Sequence, residues 1–292
     1  MPGNSVCAII VTHHPSEQHI SNLDVLSPQV EKVVVVDNGS SNIVLGTLRK
    51  RVSGFNGMLI ENGDNFGIAK ALNIGVKWAI TQEYSWIILF DQDSRVTDGF
   101  IEGMLSDMAT QARARPVGQM IPQYRDPNTG GVGFSPGYST HCDGPLIAIT
   151  SGSLFPVSTF SRCGFFREEL FIYCVDDDYS LRLNQSGLFI GISEKATLLH
   201  IGGRPTDFHV FGRKLFTYNY APIIQYYWAR NRVWLMIHYG WRYPQIIFSS
   251  CRSLVVNPMK IAIAETNRRA KISMFAFGAL HGLVGRMGKR VL

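Results

Sequence analysis

The chain has 292 residues, 46% of them hydrophobic, enough to bury the core of one large domain or of a domain with an appendage, with no low-complexity tract. Its formal charge of +6 is unevenly spread: from Arg204 onward 14 Lys and Arg stand against two acids, Asp207 and Glu265, whereas residues 1–203 carry 14 basic residues and 20 acids. Cys7, Cys142, Cys163, Cys174 and Cys251 are scattered, odd in number and without a CxxC pair, which argues against a disulfide scaffold and for a reduced compartment. Pro2, Gly3 and Asn4 stand where a signal peptide has its basic region, and the best apolar run, 272–285, contains His281 and falls short of a bilayer span.

In chain order, 6–12 reads as a buried strand, 16–26 as a helix and 32–37 as a second strand. A short helix over 42–51 leads to a strand over 57–62, a helix over 67–80 with apolar residues one turn apart, and a fourth strand over 85–91. Strands apolar throughout, alternating with helices, predict a mainly parallel sheet covered on both faces, with ligands at the strands' carboxyl ends. Residues 115–150 are rich in Gly and Pro and read as irregular structure over a site, followed by a strand-like 145–155. A helix is expected from near Asp176 and a strand over 194–203, and from about 222 the pattern is helical, with Pro222, Pro244 and Pro258 each placed to start or break a segment. Tyr226, Tyr227, Trp228, Trp234, Tyr239, Trp241 and Tyr243 lie in this basic part. They fit an anionic membrane surface, single-stranded nucleic acid, or simple packing on the main body.

Polar residues collect where the strands end: Thr12 and His13, then Asp37 to Ser40, then Asn65 to Gly67, then Asp91-Gln92-Asp93. The last group follows four buried apolar residues. If that backbone stays extended, Asp91 and Asp93 point the same way and reach one hard divalent cation, Mg²⁺ or Mn²⁺, completed by substrate phosphates. A turn cap and a solvated acid are the structural alternative. Neither a GxxxxGK[ST] phosphate loop nor a GxGxxG fingerprint occurs.

The stretches VVVVDNGSS (33–41), NFGIAKALNIG (65–75), LFDQDS (89–94), SGS (151–153), FFREELFIYCVDDDYSLRL (165–183) and LLHIGG (198–203) occur in the order and spacing of the family 2 glycosyltransferases. Over about residues 5–235 the chain resembles these inverting, nucleotide-sugar-dependent enzymes of the GT-A fold, and among them the bacterial rhamnosyltransferases that extend O-antigen and other polysaccharide chains. The resemblance implies an α/β GT-A domain over 1–221, with a donor half to about 115 and an acceptor half from about 116, and a helical, basic extension over 222–292.

On the matching positions it further implies that Asp37 accepts the N3–H of a uracil or thymine ring beside Thr12, and that Asn65 and Gly67 let the chain approach the donor. Lys70 and Asn73 lie near the donor on the following helix, where Lys70 either reaches a diphosphate or is simply solvated. Asp91 touches ribose or assists the metal that Asp93 ligates, His200 lies near that metal, and Arg230 holds phosphate or pairs with an acid. Asp176 takes the role of catalytic base. The family often has Glu-Asp where this chain has Val175-Asp176, so Asp177 is the fallback, and Asp178 can pair with Arg182 four residues on.

The activity so implied moves a sugar, with rhamnose from dTDP-L-rhamnose as first choice and another UDP- or dTDP-sugar as second, onto a glycan or polyprenyl-diphosphate-linked acceptor. It also implies a peripheral place at the cytoplasmic face of the inner membrane; the oligomeric state stays open, a homodimer included. A nucleotidyltransferase lacks support because VTHHPSEQ (11–18) has no Gly-rich basic loop, and a nucleic-acid reader because the first half is acidic.

Overall fold

The computed structural model of the chain describes residues 5–125, 137–139, 145–199, 206–210 and 213–290. Unbroken apolar runs form the four expected strands: β1 (Val6–Thr12), β2 (Lys32–Asp37), β3 (Gly57–Glu61) and β4 (Trp86–Asp91). They are followed by β5 (Arg95–Val96), β6 (Val117–Arg125), β7 (Gly137–Ser139), β8 (Pro145–Ile147), β9 (Ser153–Pro156), β10 (Phe189–Leu199), β11 (Thr206–Val210) and β12 (Arg213–Thr217). The helices are α1 (Glu17–Ser21), α2 (Leu23–Leu26), α3 (Asn42–Val52), α4 (Ile68–Thr81), α5 (Phe100–Gln111), α6 (Ser158–Cys163), α7 (Val175–Gln185), α8 (Pro222–Tyr239), α9 (Pro244–Ala264) and α10 (Arg268–Leu283).

Eight strands form one mixed, mainly parallel sheet in the order β3-β2-β1-β4-β9-β6-β10-β5. β1 is buried at every position, as a strand covered on both faces must be. The chain winds from β1 outward through β2 and β3, then returns to place β4 on the other side of β1. That reversal opens a crevice at the carboxyl ends of β1 and β4, where doubly wound sheets bind ligands. Register aligns Thr12 with Asp37 and Val11 with Asp91, so the polar ends of three strands stand in a row.

Several expectations are corrected. The helix expected over 16–26 is two short ones that divide at Asn22. The irregular structure expected over 115–150 begins with β6, whose Gln119, Pro122 and Gln123 mask a strand; Gln119 is buried and donates to Ile149 O (3.3 Å) and Ser153 Oγ (2.9 Å). Residues 126–136 and 140–144 of that stretch lie outside the described residues. The strand-like 145–155 divides into β8 and β9 around a turn, and β10 starts five residues before the expected 194. Pro258 neither starts nor breaks a helix but lies inside α9. That helix, rather than 272–285, is long and apolar enough in length and composition to cross a bilayer.

The chain divides into two compact units, Met1–Glu168 with Asp176–Gly202, and Glu169–Val175 with Gly203–Leu292. In the second, Ala229 of α8, Ile261 of α9 and Phe275 of α10 share a core. A Cβ on Gly278 or Gly282 would meet the Tyr226 or Arg230 carbonyl oxygen at 2.2 or 2.4 Å, so α10 approaches α8 as closely as backbone permits. Buried Lys271 and Glu265 pair at 2.9 Å, and Thr217 donates to the same carboxylate. Most of the aromatic residues expected to face a membrane or nucleic acid are interior: Tyr226, Tyr227, Trp234 and Tyr239 are buried, and only Trp241 is widely exposed.

Candidate active site

Asp37, last residue of β2, is buried and its carboxylate organises the turn after it. Oδ2 accepts the amides of Gly39 (3.1 Å) and Ser40 (2.8 Å), and Oδ1 accepts the hydroxyls of Ser40 (2.5 Å) and Thr12 (3.1 Å). Four donors fill the four lone-pair positions of a carboxylate. The turn needs Gly39, whose φ of 94° lies in the left-handed region and whose added Cβ would stand 2.8 Å from the Asp64 carbonyl carbon.

Asn38 ties this turn to the end of β3. Its Nδ2 donates to Asn65 Oδ1 (3.0 Å), and its Oδ1 accepts Asn62 Nδ2 (3.2 Å) and the Phe66 amide (3.1 Å). Asn65 also accepts the amide of Gly67 (2.9 Å), which enters α4 at φ 84°. Asn65 and Gly67 therefore shape the α4 entrance, and Lys70, on its first turn, holds its ammonium 4.5 Å from the Phe66 ring centre.

Two sequence-predicted ligands do different work. Asn73 is buried, donates to Phe166 O (2.8 Å) and Glu168 Oε1 (3.0 Å), and accepts the Phe166 amide (2.9 Å). It bolts α4 to the segment before α7 and has no amide hydrogen left for a donor. Arg230 is fully buried and donates to Gly288 O (2.5 Å), Leu170 O (2.8 Å), Glu169 O (3.2 Å) and Asn231 Oδ1 (2.8 Å). Its guanidinium satisfies carbonyls where phosphate was expected. Arg230→Ala should cost roughly 3 kcal/mol or more in urea unfolding and leave nucleoside-diphosphate affinity within about twofold.

Asp91 ends β4, but Gln92 and Asp93 leave the extended path in a turn closed by Ser94 N→Asp91 O at 3.2 Å. The same-side argument from strand alternation therefore does not apply to this pair. The turn is held from two sides, by the His13 amide donating to Gln92 Oε1 (2.8 Å) and by Ser151 Oγ accepting the Asp91 amide (3.0 Å) while pairing with Ser94 Oγ (2.6 Å). Asp91 and Asp93 are both partly exposed.

The role of the turn between β8 and β9, which carries the SGS stretch, is not legible in the sequence. It joins the two acidic clusters. Ser151 holds the Asp91 strand end, while neighbouring Thr150 donates its hydroxyl to Asp176 Oδ1 (2.9 Å) in the first turn of α7. Buried Tyr124 of β6 donates to Ser151 O (3.1 Å) beneath them. Surrounding protein pushes the Asp176 carboxyl up to about 7, the Asp91 charge adding in the same direction and that of Asp177 less. Asp91 and Asp176 also add to burial in raising the Tyr124 phenol.

The three acids of α7 are thus sorted by environment. Asp178 is fully buried and paired with Arg182 (2.9 Å) and Arg167 (3.2 Å), as the i,i+4 spacing predicted for Arg182. Asp176 and Asp177 are partly exposed.

The donor set suits a cation in one respect: Asp91 loads the site with negative charge felt by two neighbours, and two carboxylates with substrate phosphates are the usual shell of Mg²⁺ or Mn²⁺. Among the described residues no three His, Cys, Asp or Glu side chains converge as a metal cage, and His200 lies outside the described residues.

Comparison with known proteins places the chain among relatives. Residues 18–168 match the sequence model of the family described as Glycosyl transferase family 2. The chain is 29% identical over 249 residues to the dTDP-rhamnosyl transferase RfbF of Shigella flexneri, covering 80% of each protein. It is 26% identical over 259 residues to the galactofuranosyltransferase GlfT1 of Mycolicibacterium smegmatis, covering 81% of this chain and 84% of that protein. Among solved structures, S. aureus TarS 1–349 aligns over 96% of this chain and 72% of its own with a TM-score of 0.55 at 17% identity. GalNAc-T7, solved with UDP, GalNAc and Mn²⁺, aligns over 94% of this chain and 55% of its own with a TM-score of 0.61 at 12% identity. These likenesses establish the GT-A fold that the sequence motifs implied.

Proposed function

The chain belongs to glycosyl transferase family 2 and is a glycosyltransferase, and from that premise we propose that it transfers a sugar with inversion, rhamnose from dTDP-L-rhamnose in first place, onto a membrane-displayed glycan acceptor. One observation carries the reading of the site: the turn at Thr150 and Ser151 brings Asp176 within electrostatic reach of Asp91 at the sheet's switch point. Asp176 is the base. Its raised affinity for a proton suits a carboxylate that must draw one from an acceptor hydroxyl near neutral pH. The hydroxyl oxygen bonds to the anomeric carbon as the bond to the diphosphate oxygen breaks on the opposite face, and no covalent enzyme intermediate is needed.

Thr12 and Asp37 form the base-binding end of the donor pocket. The hydroxyls of Thr12 and Ser40 turn about single bonds, so either can yield an Asp37 lone pair to the N3–H of thymine or uracil. Lys70 lies on the first turn of α4 with its charge available to a diphosphate. Asp91 and Asp93 would hold a divalent cation, which when bound offsets charge on the departing diphosphate. The identity to a dTDP-rhamnosyl transferase supports the first-choice donor, and that to galactofuranosyltransferases supports the second reading, another UDP- or dTDP-sugar. A lipid-linked acceptor places the enzyme peripherally at the cytoplasmic face of the membrane.

A panel of sugar nucleotides with Mn²⁺ or Mg²⁺, followed by nucleoside-diphosphate release and thermal shift, tests this. At a hundredfold excess over Kd the true donor should stabilise the fold by about 2.7 kcal/mol and alone give turnover with acceptor. Selective response to another UDP- or dTDP-sugar would move the assignment to the second reading. Silence across the panel would contradict both.

A further inference from the structure

The outer side of the three-helix unit is unusually apolar for a surface. Along α9 Ile247, Phe248, Val255, Val256, Met259 and Ile263 are exposed, with Phe248, Val255, Met259 and Ile263, seven and then four residues apart, on one side of the helix, and Phe248 is 75% exposed. Ile272, Phe277, Leu280 and Leu283 are likewise exposed on α10. The opposite side of α9 is spent within the protein, with Ile246, Ser250 and Ile261 buried. A helix with one side packed and one side bare, and with Arg252 and Lys260 along it, is built to lie on an apolar layer and not to cross one.

Beyond the end of α10 is a cleft of about 330 Å³ lined by His281, Arg286, Lys289 and Arg290 beside Tyr226 and Phe277. None of the described residues lining it is acidic. Arg290 stacks on Tyr226 and Phe277, both at 4.6 Å, and its Nη1 is buried without a hydrogen-bond partner. Burial lowers the His281 proton affinity, and Arg286, Arg290 and Arg230 lower it further, as a concentrated positive potential must.

Charge decides what covers this face. Residues 217–292 hold 11 Lys and Arg and one acid, Glu265, which is buried against Lys271. A second copy would set cations against cations, whereas an anionic lipid surface complements them. Nucleic acid would leave the apolar stripes bare.

We propose that the outward faces of α9 and α10 rest in the surface of an anionic phospholipid bilayer and that the cleft of His281, Arg286 and Arg290 takes one lipid phosphate. Trp241, 76% exposed beside Arg242 in the turn before α9, suits the headgroup level. The docking deepens the reading of a membrane-displayed acceptor and rests on it for its purpose.

Flotation of the full chain with vesicles of phosphatidylcholine, alone or with about 30% phosphatidylglycerol, tests this. The chain should float with the anionic vesicles at least tenfold better. Phe248→Ser with Met259→Ser, both at exposed positions, should lower that binding tenfold or more. Arg286→Ser with Arg290→Ser should remove the preference for phosphatidylglycerol, and Arg286→Ser alone, at an exposed residue, should weaken it with the circular dichroism unchanged. Equal binding to both vesicle types, indifference to the Phe248 and Met259 changes, or a dimer in light scattering with no flotation would overturn the proposal. Release of nucleoside diphosphate from soluble donor, measured on the same samples, separates the two ideas. Flotation without turnover keeps the docking and removes the proposed donor; turnover without flotation does the reverse.

Discussion

Asp176→Asn should lower sugar transfer about 10²- to 10⁴-fold while leaving donor affinity nearly unchanged, because it removes a base and keeps the shape. The same change should stabilise the metal-free protein above neutral pH. Folded Asp176 titrates near 7 against an ordinary 3.8, so the folded chain holds the extra proton between those values. That contribution to stability is complete below about pH 4 and is lost as pH rises through 7. Asn, which never ionises, escapes the loss, and its advantage should grow from nothing near pH 4 to roughly 2–4 kcal/mol above pH 7. Melting curves of both proteins in chelator across that range check it. Equal transfer rates would pass the role of base to Asp177.

Two residues along the same helix the signs reverse. Asp178→Asn should lose roughly 3–5 kcal/mol and leave the chemistry of the remaining folded enzyme close to normal. Asp178 has no exposed surface, and its two oxygens answer Arg182 and Arg167. Arg182 also donates to Cys163 O (2.5 Å) and Phe165 O (2.9 Å), so the carboxylate anchors α7 to the segment that leads into it. Without it, two partly buried guanidiniums lose their shared counter-charge. Urea unfolding measures the loss, and turnover per folded molecule shows whether the base is spared.

That contrast marks what a sequence can convey. The run Asp176-Asp177-Asp178 announces a site, and i,i+4 spacing alone assigns Asp178 to Arg182. The strands β1 to β4 were legible because Val, Ile and Leu run unbroken to a polar end, and the row of Thr12, Asp37 and Asp91 follows from parallel register. β6 was not, since Gln119 and Pro122 sit inside it and the Gln119 Nε2 finds its acceptors 30 and 34 positions away. The joining role of Thr150 and Ser151 was hidden for the same reason: small hydroxyl residues carry no periodicity, and their partners come from β4 and α7. The structural work of Arg230 and Asn73 was not legible because a polar side chain aimed at carbonyls deep in a protein has the same letter as one aimed at a ligand. The aromatic letters of 226–243 suggest an exposed surface, yet Tyr226, Tyr227, Trp234 and Tyr239 are interior, while the bare apolar stripes belong to α9 and α10.

The central claim is that one crevice, at the carboxyl ends of β1, β2 and β4, holds the donor, its cation and the base. Crystals soaked with a nucleoside diphosphate and Mn²⁺ locate the cation by its anomalous scattering. The expected peak lies about 2.0–2.2 Å from a carboxylate oxygen of Asp91 or Asp93 and touches the diphosphate, with Asp176 facing the same crevice. A peak away from both aspartates, with the nucleotide bound elsewhere on the chain, would contradict it.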